Sequence, residues 1–586
     1  MTTKVAVLKG ILSNRDTLAR SLMTMYDKWR MQRDSWIEEK KELRNYLFAT
    51  DTSTTSNSDL PWKNSTTIPK LCQIRDNLHS NYIDALFPND EWLVWEGDDQ
   101  ASVTKEKRRT IEMYIKNKAK TSQLRETISK ALLDYIDYGI AIGEVIWVHE
   151  QYYDPVLDQK VTSYIGPRLM RISPLDHVFN PVAVHYNKSP KFTRYLKNLG
   201  ELKKETSTRP DLQFDPVGVR KLFDRRNSLS AYGREDLDKA EGYFADGFGS
   251  LSEYLGSSLV EIVEFEGDIY DEQTEELQEN RIVTIADGSI VLRNIPNPNW
   301  FGRDNKVAVN WRDRPDNLYG MGPLDNLVGL QYRVDHLENL KADALDLTIH
   351  PPKKIIGDVE PFIWAPGVDV HIPEDGDVQP MPPNVAAFQV NNEIEYLLAL
   401  MEEMAGAPKQ AMGIRTPGEK TAFEVQSLDN AAGRIFNSKI HKFEIEFLEP
   451  VLNLMLEASR RNLNVADTLK VTDDQFGAVT FQSITRDDIV AIGKLRPMGA
   501  RHFSARAQLI QNLTGIFNSP LGQIIQPDLS RKALTNLVEE TMGLTRYKLF
   551  RDNIAIMEQQ ETQRLMQQAQ TTLNDEAITP VEEDMI

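Results

Sequence analysis

Gly413 to Thr421 reads GIRTPGEKT, the arrangement in this chain closest to a phosphate-binding loop. Such a loop needs G-x-x-x-x-G-K-[ST] between a strand and a helix, so that backbone N–H groups cradle phosphates and the lysine reaches them. Here Glu419 stands between Gly418 and Lys420. The insertion shifts the lysine by one residue and sets a carboxylate where phosphates would lie. Pro417 removes a backbone donor from the same turn, and the preceding segment has a helical pattern. A nucleotide-binding enzyme is therefore the disfavoured reading. No H-E-x-x-H or G-x-S-x-G occurs, and the nine histidines never fall at metal-ligand spacing. The single cysteine, Cys72, allows neither an intramolecular disulfide nor a cysteine zinc site. The plentiful carboxylates read as solvated helix faces. The expectation is a protein without catalysis, cofactor or metal.

The 586 residues suffice for three or four domains and carry a formal net charge of −19. A generic nucleic-acid binder neutralises phosphates with basic surface, and this composition is the reverse. The N-terminal MTTKVAVLKGILS lacks the apolar core and cleavage site of a secretory signal. The longest apolar run, near Ile140 to Val148, contains Glu144 and is too short to span a bilayer. A soluble intracellular product is expected.

Residues 13–48 read as one amphipathic helix, followed by a Ser/Thr-rich link and a helix from near Ile68 to Pro88. Two further helices are expected near 102–118 and 122–137, then strands around GIAIGEVIWVHEQYY and RLMRISPLDHVFNPVAV. Asp287-Gly288 between two alternating runs marks a hairpin within 259–293. Tyr319 to Gly322 reads as a flexible turn, and Pro323 as the first position of a long helix. Leu327, Leu330, Val334, Leu337 and Ala344 form its apolar seam, and Pro351-Pro352 end it. A proline-rich stretch with strand-like pieces covers 351–385, and a helix over about 390–405 follows. A long helix from Thr421 to about Asn462 contains Pro450, where a kink is expected. The fold class is α+β, predominantly helical.

YGMGPLDNLVGLQYRVDHLENLKADAL resembles the stem region of tailed-bacteriophage portal proteins, the head-to-tail connectors. RTPGEKTAFEVQ is similar to the tunnel-loop segment of portals from short-tailed-type phages, and PWKN…IPK…ALFP…W to the start of the same group. The order of helix, small β insert, helix, loop and long kinked helix matches as well. The resemblance implies a multidomain protomer: 1–316 wing, 317–349 first stem helix, 350–386 clip, 387–410 second stem helix, 411–420 tunnel loop, 421–497 long kinked helix and wing strands, 498–572 crown helices, 573–586 acidic tail. It implies a homo-oligomeric ring, usually of twelve copies, at one capsid vertex. Through it double-stranded DNA is packaged and ejected without sequence specificity. The major capsid protein, the terminase large subunit and a tail adaptor are the implied partners, and no membrane is involved. The implied location is the virion, with the host cytoplasm during assembly. Another virion structural or tail component is the alternative.

Helices ~10 Å across, standing about twelve abreast in a ring, enclose a hole ~38 Å wide, enough for a DNA duplex. Residues 323–349 hold five acids and two bases, hence −3 per copy. On this reading Asp325, Asp335, Glu338, Asp343 and Asp346 form an acidic channel wall that repels phosphates. Arg415, Thr416, Gly418, Glu419 and Lys420 form the DNA-facing tunnel loop. Arg415 and Lys420 either touch the DNA backbone or, respectively, stay exposed and pair with Glu424. Lys353, Lys354, Asp358, Trp364 and Asp369 belong to the clip that docks terminase or adaptor. Lys494, Arg501 and Arg506 make a basic cluster that pairs with neighbouring carboxylates or faces packaged DNA.

Overall fold

The computed structural model describes residues 5–8, 15–48, 64–87, 92–98, 104–156, 158–183, 185–208, 212–226, 259–362, 369, 371–381, 389–405, 435–464, 467–472 and 479–499. The chain divides into two units, Met1–Leu469 with Ser483–Ala500 and Lys470–Gln482 with Arg501–Ile586. Nearly all described residues belong to the first. The fold is mixed α+β, about half helical with several small antiparallel sheets. The expected α+β class is found, and the alternating apolar runs extend into strands of up to 15 residues.

β1 (Val5–Leu8) precedes α1 (Arg15–Gln32) and α2 (Asp34–Leu47), which replace the single helix expected over 13–48. The break falls at Arg33. Its buried guanidinium donates to the carbonyls of Pro174 at 3.0 Å, His177 at 2.8 Å and Leu175 at 2.6 Å. A charge taken out of water needs such acceptors, and the helix interrupts where that side chain turns inward. α3 (Lys70–Leu86), α4 (Lys105–Thr121) and α5 (Leu124–Asp137) follow close to their expected bounds, with β2 (Leu93–Gly97) between α3 and α4.

β3 (Ile140–Asp154) and β4 (Gln159–Ile172) form a long antiparallel ribbon. The largest sheet then runs in the spatial order β5 (His177–Phe179), β6 (Lys191–Asn198), β7 (Leu259–Asp271), β8 (Glu276–Ala286) and β9 (Ile290–Pro296). β1 pairs parallel with the end of β7. α6 (Leu199–Thr208) and α7 (Pro216–Arg226) lie between β6 and β7 in sequence. The Asp287-Gly288 turn has φ of 46° and 63°, the positive values that a primed turn demands. Phe192, Val263, Phe265, Val283 and Ile285 of the sheet bury against Leu18, Leu22 and Tyr26 of α1.

β10 (Lys306–Asn310) extends the ribbon along β3, and β11 (Arg312–Arg314) pairs with β12 (Asn317–Met321). Tyr319 to Gly322 is therefore strand and tight packing, not a flexible turn. Tyr319 stacks on Phe179 with centroids 4.4 Å apart. A Cβ on Gly322 would stand 2.4 Å from the Ile136 carbonyl oxygen, so close backbone approach is what requires glycine. α8 (Val328–Ile349) starts after a 3-10 turn at Asp325–Leu327, later than Pro323, and ends before the two prolines. β13 (Lys353–Ile356) and β14 (Asp377–Pro380) pair antiparallel, and α9 (Val390–Met404) packs on α8.

Helix α10 (435–443) leads into a π turn at Glu444–Leu448, then α11 (Glu449–Asn462). The irregularity expected at Pro450 lies just before it. Proline has no N–H for the i−4 carbonyl and crowds it, and a wider turn relieves both. Phe443, Phe447, Val451 and Met455 anchor this helix in the core beside β3 and β4. β15 (Asp467–Thr472), β16 (Val479–Ile484), the short α12 (Arg486–Ile489) and β17 (Gly493–Pro497) complete the described chain, with β17 antiparallel to β2.

Candidate functional site

The helix–hairpin–helix unit of α8, β13–β14 and α9 is the feature around which a function can be built. One face of α8 carries Gln331, Asp335, Asn339 and Asp343, four residues apart and all buried. They grip an extended strap, residues 64–68. Asp343 Oδ1 accepts from the Asn64 backbone N–H at 2.9 Å and from its Nδ2 at 2.8 Å. Asn339 Oδ1 accepts from Thr66 N–H at 2.7 Å. Asp335 accepts from Ile68 N–H at 2.9 Å and from the Thr67 hydroxyl at 2.5 Å. Gln331 donates to the Ile68 carbonyl at 2.7 Å. Every second strap residue meets every fourth helix residue. The register holds because two residues of extended chain rise ~6.6 Å and four residues of helix ~6 Å. Lys70, at the end of the strap, forms an ion pair with Glu402 of α9, so one segment ties both helices.

The residues of the expected acidic wall have these surroundings in the protomer. Asp335 and Asp343 are buried against the strap, and Asp325 pairs with buried Lys40 and accepts from Gly322 N–H at 2.8 Å. Their carboxylates satisfy donors of the same chain and do not present one solvent-facing stripe. Asp346 is exposed and accepts from Asn64 Nδ2 at 2.9 Å, and half-buried Glu338 pairs with Lys341 at 3.1 Å. α9 carries further exposed carboxylates, Glu393, Glu395 and Glu403, on a helix with no basic residue.

Apolar side chains show the converse. Of the expected seam, Leu327, Val334 and Leu337 are buried, while Leu330 and Ala344 are half-buried. Tyr332, Leu340, Leu345 and Ile349 of α8 are exposed, Ile349 by 60%. Tyr396 of α9 is 62% exposed, and Met404 is exposed too. The hairpin between them leaves Ile355, Ile356, Ile372 and Met381 in solvent. Lys353 is half-buried, with its ammonium 4.5 Å from the Phe362 ring centroid, while Lys354, Asp358 and Asp369 are exposed.

A second polar cluster sits in the body. Glu144, Glu264 and Glu266 bring carboxylate oxygens within 4.8 Å of one another, a donor set that suits a divalent cation. The fully buried Lys306 ammonium occupies the centre, 2.7 Å from Glu266, 2.8 Å from Glu264 and 3.9 Å from Glu144. Burial opposes its charge, but the three glutamates outweigh this and hold its pKa well above the ordinary lysine value. Lys306 and Arg293 keep the Glu264 carboxyl well below the usual range, against the cost of burial, while burial raises that of Glu266. Lysine serves here as the internal cation, and the cluster reads as a structural tie between β3, β7 and β10.

No protein-family model matches the chain, and no curated protein matches it. No helix among the described residues is long and apolar enough to cross a membrane. Arg415, Thr416, Gly418, Glu419, Lys420, Trp364, Arg501 and Arg506 lie outside the described residues, as do residues 500–586, which hold nearly all of the expected crown and the whole expected tail. The strap contacts escaped sequence reading. Their signal was present: Gln, Asp, Asn and Asp at strict four-residue spacing, beside an Asn-Ser-Thr-Thr run that forms no helix.

Proposed function

We propose that the chain is the protomer of a portal ring, the connector at one capsid vertex through which double-stranded DNA enters and leaves. The observation that carries this reading is the inverted polarity of the helix–hairpin–helix unit. Asp335 and Asp343 of α8 are buried inside the protomer, while large apolar side chains are exposed on both helices and on the hairpin. Large apolar side chains left in solvent are what a protein interface covers, and copies standing side by side would cover these. Heterologous contacts of this type would close into a ring where the rotation between neighbours divides a full turn.

The bore would be lined by α9 rather than α8. Glu393, Glu395 and Glu403 are exposed on a helix without a compensating base, a charge that would repel the phosphates of a sliding duplex. The hairpin would serve as the clip for terminase or adaptor, and the body as the wing against the capsid. The protein would perform no catalysis.

Native mass measurement and end-on electron images of the purified protein test this. A closed assembly of about twelve copies with a central hole is expected. A monomer or an open polymer would sink the proposal, and stoichiometric nucleotide binding would favour an enzyme in its place.

A further inference from the structure

Among the described residues, the far half of the β3–β4 ribbon has no strand beside it. β10 reaches only to Glu144, and the Val145 N–H makes the last bond on that edge, to the Asn305 carbonyl at 2.9 Å. Residues 146–154 run on for ~30 Å paired with β4. Tyr152 and Tyr153 are neighbours, so their side chains take opposite faces of the ribbon. They are 52% and 59% exposed, hence neither face is covered there. Val156, in the turn, is exposed as well. A two-stranded ribbon alone is marginally stable in water and needs a further strand or a helix against it. Its end, residues 150–160, holds Glu150, Asp154, Asp158 and Lys160, a net −2.

α4 carries the opposite charge. It has seven bases and two acids, +5 in a chain of −19. Lys107, Arg108 and Lys118 are engaged by the Asp487 carbonyl, Glu112 and Asp467. Arg109, Lys116 and Lys120 form no ion pair among the described residues. Spacings of seven and four set these three on one helix face ~16 Å long. Arg109 and Lys120 are exposed and Lys116 is half-buried.

We propose that the ribbon end of one copy lies along this face of α4 in the next copy. The inference deepens the ring reading and rests on it. Asp154 and Asp158 flank the turn and bring the charge that the α4 bases lack. The tyrosine rings cover the alkyl stems of the lysines and the half-buried Met113 between them. The helix is the support that the ribbon needs, and each copy gives one ribbon and receives another, a head-to-tail contact. A nucleic-acid backbone is the poorer occupant. Asp487 and Asp488 of α12, which packs on α4, and exposed Glu126 of α5 would repel successive phosphates.

Native mass spectrometry of the full chain and two sets of charge changes test it. Arg109→Glu with Lys116→Glu and Lys120→Glu should cut the assembled fraction about tenfold. Gln151→Lys with Gln159→Lys and Thr162→Lys, all at exposed ribbon positions, should weaken assembly likewise. The chain carrying both sets should regain it, which a merely misfolded variant would not. A ring that forms equally well with either set alone, or no recovery in the combined chain, would overturn the proposal and leave the ring reading standing. A wild-type chain that forms no ring would overturn both. Binding of a short DNA duplex that the α4 changes abolish, with the ring intact, would assign the face to phosphates instead.

Discussion

Asp335 shows what a single carboxylate does in this protein. It satisfies a backbone N–H, a hydroxyl and the amide of Gln331 in a site closed to water. Truncating such an acceptor leaves buried donors without partners, at about 1–3 kcal/mol and more for a charged group. Asp335→Ala should therefore lower stability by about 3 kcal/mol in denaturant unfolding, whereas Glu338→Ala should change it by less than about 0.5 kcal/mol. Lys306→Met should cost more, about 3–5 kcal/mol, because it strands carboxylates that the ammonium neutralises. His177 gives a pH signature. It is fully buried, 2.8 Å from the Tyr186 hydroxyl and 2.9 Å from that of Thr193. Burial, then Lys306, Lys191 and Arg33, push its pKa well below 6.5. The folded protein thus keeps it neutral while the unfolded chain takes up a proton near pH 6.5. Its contribution is full above that pH and is lost as pH falls, with a slope of at most about 1.4 kcal/mol per unit. Thermal melts between pH 7 and 5 should show this loss, and His177→Gln should flatten it.

At the scale of elements, the decisive contacts are backbone approaches and strap pairing. Gly322 sits where a methyl group would meet the Ile136 carbonyl. Gly322→Ala should destabilise by about 1–3 kcal/mol through overpacking, although alanine favours regular structure. A freely moving turn would instead gain stability from the same change, so the sign of the shift in unfolding midpoint separates the two descriptions. The helix period of α8 was legible in sequence, and so was its end at the prolines. Its orientation was not. A period-based reading assigns charged residues to water, and only the strap, more than 260 positions away in sequence, supplies the donors that draw Asp335 and Asp343 inward. Arg33 follows the same logic: an ordinary surface arginine by pattern, it becomes the break between α1 and α2 through three carbonyls of a distant turn.

At the scale of the whole molecule, the exposed apolar side chains of α8, α9 and the β13–β14 hairpin would form the contacts of the proposed assembly. Ile349→Asp with Tyr396→Asp should leave the melting temperature of the protomer within a few degrees, since both positions are exposed. The same pair should collapse a ring to smaller species in native mass spectra. Persistence of the full assembly would place the interface elsewhere. The total charge of −19 bears on this scale too. It opposes adhesion to DNA, and α9 adds three exposed acids with no base on the same helix.

By itself the sequence determined the local periods: where helices and strands run, the primed turn at Asp287-Gly288, the prolines that end α8, and an acidic chain without disulfides. These depend on neighbours a few residues apart, which spacing encodes. Tertiary structure alone decided which side of each element is buried. That choice depends on partners far apart in sequence, as when Asn64 to Ile68 draw a row of carboxylates out of water and leave isoleucines and tyrosines facing it.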